Sequence, residues 1–224
     1  MRLVCATRAS AADFDHATTL GRALARQQSD ALELCLFERN THPLATVYNQ
    51  AIEAARDDPA ILVFLHDDVW FSEADWIDRL FEGLRQFDVL GVAGNIRRLP
   101  RQPAWAFIGA ALDWDDPACL SGSVGQGEDD APPQWQVFGP DQRQVSLLDG
   151  VLLAASSETL NHARVRFDER FRFHFYDMDF CRQCELKGLR MGTWPLGLVH
   201  ESGGDFGSLA WRVGLARYLD KWGE

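Results

Sequence analysis

The chain has 224 residues, 46% of them hydrophobic, with a formal net charge of −11 at pH 7. So much apolar residue supports a sizeable core and excludes an intrinsically disordered chain. The acidic balance argues against a nucleic-acid backbone or an anionic membrane as the main partner, since both reward clustered Lys and Arg. It leaves room for a phosphorylated small molecule, because a bound cation reverses the local field.

In chain order, Arg2–Thr7 reads as a first strand and Ala11–Gln28 as a helix with Phe14, Thr18 and Ala25 on one side. Leu32–Phe37 is a second apolar strand, and Leu44–Arg56 has helical spacing through Val47, Tyr48, Ala51, Ile52 and Ala55. Ala60–Leu65 is a third strand. Ser72, with Glu73 and Asp75 behind it, is the expected N-cap of a helix reaching about Phe87. Val89–Ala93 is another strand, and this alternation predicts an α/β protein with a mainly parallel sheet and helices on both faces. The alternation stops near Gly94. Leu112–Pro133 is rich in Gly, Asp and Pro and is expected as a long loop, with 121–133 a lid or a solvated surface segment. Gln134–Phe138 and Gln144–Ala155, on either side of Gly139-Pro140-Asp141, suggest a hairpin. Asp177–Lys187 is a helix ending at Gly188, Leu196–Val199 a strand ending at His200, and Ser208–Trp222 a closing amphipathic helix. No linker or repeat interrupts the chain, so one domain over 1–224 is expected, with a first half to about residue 95 and a second half from 96.

The five cysteines, Cys5, Cys35, Cys119, Cys181 and Cys184, do not look like a disulfide framework, and Cys181 and Cys184 in their helix are read as buried thiols. No apolar run reaches the length of a membrane span, and the N-terminus lacks a signal-peptide core. A cytoplasmic protein is expected, or one peripheral to a membrane, with its oligomeric state open.

The strongest local signal is Ala60–Val69, where an apolar run of strand length ends in His66, Asp67 and Asp68. A continuous apolar run suits a strand covered on both faces. Ligands of open α/β sheets bind just outside the carboxyl ends of such strands, and carboxylate oxygens there can hold a divalent cation against a phosphate.

Leu65-His66-Asp67-Asp68-Val69 is followed later by Phe167-Asp168-Glu169-x-Phe171, then Phe175-Tyr176-Asp177-Met178-Asp179-Phe180-Cys181-Arg182, Gly188-Leu189-Arg190 and Val199-His200. From about Asn40 to His200, this order resembles the family-two glycosyltransferases of the GT-A fold. Within them it resembles the branch that reads His-x-Asp in place of Asp-x-Asp and includes proteins likened to a streptomycin-biosynthesis protein. The resemblance implies a GT-A-like fold and transfer of a sugar from a nucleotide-diphosphate donor to a saccharide or other hydroxyl acceptor, with inversion. Asp68 falls on the family's metal-binding aspartate, His66 on its first aspartate and His200 on the late histidine that completes a metal shell. A mixed carboxylate–imidazole shell suits Mn²⁺, with Mg²⁺ the other candidate. On a strand, Asp67 would point away from His66 and Asp68, which leaves metal duty to Asp68, with His66 as its partner.

Asp177 falls on the family's catalytic base, which takes the proton of the attacking hydroxyl. Asp179 is its rival, and Tyr176 stands where the family has a glutamate. Thr7, Asn40 and Asn49, with Asp67 and Asp68, are the expected donor contacts. Asp149, Gly150 and Trp194 are expected on the acceptor side, where Trp105, Trp114 and Trp135 could also stack on sugar rings. The alternative is a nucleotide-sugar- or metal-binding protein that has lost catalysis, an idea fed by His66 and Tyr176 in place of carboxylates.

Overall fold

The computed structural model describes residues 1–27, 29, 31–129 and 131–223; the expected helix end at Gln28 and Asp130 of the glycine-rich stretch lie outside them. Strand β1 (Arg2–Ala6) leads into the short helix α1 (Phe14–Ala17) and then α2 (Thr19–Arg26). The predicted single helix breaks at Thr18, whose extended backbone caps α2 through a side-chain bond from Gly21 N. β2 (Glu33–Phe37), α3 (Leu44–Ala54) and β3 (Ile61–Leu65) follow as the sequence suggests. Then come β4 (Val69–Phe71), α4 (Trp76–Leu84), β5 (Val89–Gly91) and β6 (Ala93–Asn95). β7 (Phe107–Ile108) and β8 (Asp113–Trp114) pair as a small hairpin, and β9 (Leu120–Gln126) and β10 (Gln134–Gly139) pair as a longer one. The remaining elements are β11 (Gln144–Val145), β12 (Leu147–Leu148), β13 (Leu152–Ser156), α5 (Ser157–Ala163), α6 (Tyr176–Leu186), β14 (Met191–Thr193), β15 (Leu198–His200) and α7 (Leu209–Trp222).

The main sheet has the order β11-β14-β5-β13-β3-β1-β2. β1 lies parallel to both β2 and β3, as the early alternation implies. β13, however, runs antiparallel to both β3 and β5, so the sheet is mixed and not mainly parallel. The cause is local: β13 follows the short strands β9–β12 and not a crossover helix, and only a crossover returns a strand in the parallel sense. Leu62, Val63, Phe64 and Leu65 are at most 1% exposed, which explains their continuous apolar run.

A second sheet, β12-β6-β9-β15-β4 with β10 added on β9, stands beside the carboxyl ends of β1 and β3. It corrects three expectations. Residues 120–126 form a strand, with β9 hydrogen-bonded to β6, β10 and β15. β10 pairs back onto β9 and not forward across Gly139-Pro140-Asp141, because β11 is taken by β14. Ser72 does not cap α4; Val69–Phe71 is drawn into β4 against β15, so Ser72 bonds Gly197 O and the helix starts three to four residues later, at Trp76. Beyond β9, Asp129 is gripped by both Arg22 and Arg26 of α2.

Helices α6 and α7 close the second half. Gly188, at φ +71, ends α6, and Ser208 caps α7. Cys181 and Cys184 are fully buried free thiols, as expected. No described helix is long and apolar enough to cross a membrane.

Candidate functional site

β3 ends at Leu65, and residues 67 and 68 form a turn before β4. The strict alternation expected of a strand therefore does not apply, and His66, Asp67 and Asp68 all border one cavity of about 700 Å³. Its wall also takes in Asp149, Gly150, Tyr176, Asp177, His200, Ser202 and a group of aromatic side chains.

Three donors converge at one end. Ligand atoms of His66, Asp68 and His200 all lie within 4.8 Å of one another. His200 Nε2 is 3.2 Å from Asp68 Oδ1, and His66 Nδ1 is 3.9 Å from the same oxygen. Ser202 Oγ donates to Asp68 Oδ2 at 2.5 Å, while the buried Oδ1 accepts no well-formed hydrogen bond. A buried acceptor left this way is costly unless something else meets it. Burial opposes ionisation of Asp68, yet His200, Ser202 and His66 hold its carboxyl well below the usual range. Burial pulls His200 down, but Asp68 more than compensates and its value is raised. Burial, with His200 beside it, pushes His66 down, so its neutral form is favoured.

Hydrogen bonding then assigns the His66 tautomer. The Tyr176 hydroxyl donates to Gly150 O at 2.7 Å, since a carbonyl only accepts. Its oxygen, 3.2 Å from His66 Nε2, is left to accept. His66 therefore carries its proton on Nε2 and turns a bare Nδ1 lone pair toward Asp68. Donor set, tautomer and orphaned carboxylate oxygen together fit a divalent cation.

Asp177 sits in the first turn of α6, at the cavity wall. Phe175, the residue before that helix, has φ +69, an unusual value for an aromatic residue. Its ring is packed against Trp211 and Tyr218 of α7, which supplies the restraint such a backbone needs. Gly150 N donates to Asp177 Oδ2 at 3.1 Å and Met178 N to Oδ1 at 2.8 Å. A Cβ at position 150 would stand 2.5 Å from Tyr176 Oη and 2.9 Å from Asp177 Cβ, so only glycine allows this approach. Burial, reinforced by the charge of Asp149, raises the Asp177 carboxyl to about 7. Asp149 itself is held by Trp105 Nε1 at 2.6 Å and by Val151 N at 2.8 Å.

Asp179, the rival, is 0% exposed and faces the other way, bonded to Lys221 and Trp222 of α7. Four other expected site residues do not border the cavity. Thr7 accepts from Ala9 N in its own turn. Asn40 closes a local turn with His42. Asn49 pairs with both backbone groups of Phe167, bracing α3 against the segment before α6. Trp194 packs against Phe87 and over Gly83 of α4. Trp135, on β10, also points away, whereas Trp105 and Trp114 do line the wall. Ser202, Phe138, Phe173 and Phe206 join the site without a sequence signal; each is brought in by the second sheet or by the segments flanking α6 and α7.

The fold is GT-A-like. Residues 8–196 match the profile of a family described as "Glycosyltransferase like family", and the chain belongs to that family. It is an enzyme of the glycosyltransferase class. No curated protein matches it. Two solved structures are similar in fold. One is the A197 protein from STIV, at 13% identity and TM-score 0.50, covering 91% of this chain and 94% of that one. The other is the mannosyltransferase PcManGT from Pyrobaculum calidifontis, in complex with GDP-Man and Mn²⁺, at 14% identity and TM-score 0.50. That match covers 97% of this chain, which spans 61% of the mannosyltransferase. At these identities the likeness speaks for the fold alone.

Proposed function

We propose that the chain is a single-domain, metal-dependent, inverting glycosyltransferase of the His-x-Asp, streptomycin-biosynthesis-protein-like branch. It moves a sugar from a nucleotide-diphosphate donor to a hydroxyl acceptor. The observation that carries this reading is the pairing, in one cavity, of a carboxyl raised to about 7 at Asp177 with the His66–Asp68–His200 donor set. The fold-level match to a GDP-Man- and Mn²⁺-bound mannosyltransferase supports a nucleotide-sugar donor and Mn²⁺, with Mg²⁺ as the other candidate.

His66 through Nδ1, Asp68 through Oδ1 and His200 would hold the cation. When bound, it would supply positive charge for the departing diphosphate. Asp177 takes the proton of the acceptor hydroxyl as that oxygen bonds to the anomeric carbon, on the face opposite the breaking bond to the diphosphate. A base with a value near 7 is half available at neutral pH and strong enough to accept that proton. Gly150 and Met178 amides aim its carboxylate, and Tyr176 orients His66.

Titration of UDP, GDP, CDP, ADP and dTDP by calorimetry, with and without Mn²⁺, tests the reading. One nucleotide should bind tightly only with Mn²⁺, and Asp68→Ala should abolish the metal dependence. No binding of any nucleotide to the folded protein would sink it.

A further inference from the structure

Trp105, Phe138, Trp114, Phe107 and Phe206 form a continuous chain of ring contacts along the cavity wall, with successive centroids 4.9, 5.9, 4.7 and 5.0 Å apart. The chain begins beside the reacting position, because Trp105 Nε1 binds Asp149 and the next residue, Gly150, donates its N–H to Asp177. It runs out to the mouth, where Trp114 is 50% and Phe206 41% exposed. Two of the five rings, Phe107 and Trp114, are presented by the β7–β8 hairpin, and neither is fully buried there.

Charge narrows what this wall can take. Among the described residues, no Lys or Arg borders the cavity, whereas Asp67, Asp68, Asp149, Asp177 and Asp205 do. Away from the candidate cation position, an anionic acceptor would meet these carboxylates with no Lys or Arg to offset them. At the inner end of the wall, a cationic one would find Asp149 already accepting from Trp105 and Val151.

We infer that the acceptor is an uncharged hydroxyl compound carrying an apolar group, aromatic ring or alkyl chain, which lies along the Trp105–Phe206 wall while its hydroxyl faces Asp177. This rests on the transferase reading, and the test keeps the two apart. Phenyl glucoside, octyl glucoside, glucose, glucosamine and glucose 6-phosphate are titrated into the Mn²⁺-loaded protein, followed by tryptophan fluorescence and calorimetry. The nucleoside diphosphates are titrated into the same preparation. The phenyl or octyl glucoside should bind roughly tenfold or more tightly than glucose, as expected for burial of a ring or chain on aromatic faces. Whichever of the two gains more identifies the apolar group as ring or chain. Trp114→Ala and Phe206→Ala, both at partly exposed positions, should each remove most of that gain. Equal binding of glucose and the apolar glucosides, tighter binding of glucose 6-phosphate or glucosamine, or a gain that survives both substitutions would overturn the inference, even with nucleotide binding intact. Loss of nucleotide binding alone, with the apolar preference kept, would remove the donor reading and leave the apolar ligand class standing.

Discussion

Two acidic groups draw on the same helix and are built in opposite ways. On one face of α6, Asp179 joins Asp168 around Lys221, with Arg170 on Asp168 and Trp222 on Asp179. Every negative charge there has a cation or a ring N–H from this chain. On the other face Asp177 borders a cavity with Asp149 and Asp68, where neutral amides, an indole, a serine and two histidines are the partners. The first group clasps α7 to the body. The second has no Lys or Arg partner among the described residues, and the proposed cation and base assignments rest on that arrangement. Two residues on one helix differ in direction by roughly 200°, so the Asp-x-Asp pattern sends its members to these separate tasks.

The comparison is broken most severely by Asp177→Asn. Turnover should fall roughly 10²–10⁴-fold with donor affinity nearly unchanged, the range for loss of a general base. Steady-state kinetics beside nucleotide calorimetry checks this, and unchanged turnover would move the base elsewhere. Lys221→Ala strikes the clasp instead. It strands a buried carboxylate, so unfolding free energy should drop by about 3 kcal/mol, read from urea midpoints. A neutral result would mean that the clasp is solvated in solution.

Asp68→Ala should weaken Mn²⁺ binding by about 100-fold or more, beyond the range typical of supporting groups. Tyr176→Phe removes the acceptor of His66 Nε2–H together with the hydroxyl that donates to Gly150 O. Mn²⁺ affinity should fall about tenfold, and histidine ¹⁵N NMR of the metal-free protein should show His66 changing from one Nε2–H tautomer to a mixture. A His66 protonated on Nδ1 in the unsubstituted protein would refute the assignment.

The smallest effect is on stability. The Asp177 carboxyl lies at about 7 folded against 3.8 as its ordinary value, so its contribution to stability is full below about pH 4 and is lost as pH rises through 7. Asp177→Asn, which cannot ionise, should therefore gain relative stability between pH 4 and 7, on the order of 1 kcal/mol for a group that borders a cavity. Denaturant midpoints at pH 4, 6 and 8 report it; a constant difference would mean that Asp177 ionises normally.

Much of the first half was legible from residue pattern. β1 and β3 are buried along most of their length, and the partly exposed edge strand β2 and the amphipathic α3 still carry an apolar run and helical spacing long enough to identify them. The turn after β3 was legible as a site because three polar residues end an apolar run. The second sheet was not legible. Its strands are short, and β9 is rich in glycine and serine because β6, β10 and β15 crowd its backbone: a Cβ on Gly122 would stand 2.0 Å from Val92 O. Composition there reads as loop, while the pairing partners that make it a strand lie far away in the chain.

By itself, then, the sequence determined the early strand–helix order and the polar break after Leu65, because local pattern carries those facts, and through the family resemblance it led to the expectation that Asp177, Asp68 and His200 share one site. Tertiary structure alone decided the antiparallel β13, which of Asp177 and Asp179 borders the cavity, the placement of Thr7, Asn40, Asn49 and Trp194 away from it, and the hydrogen-bond partners of His66. Each of these depends on which distant backbone or side chain arrives within hydrogen-bonding reach, and no local pattern encodes that.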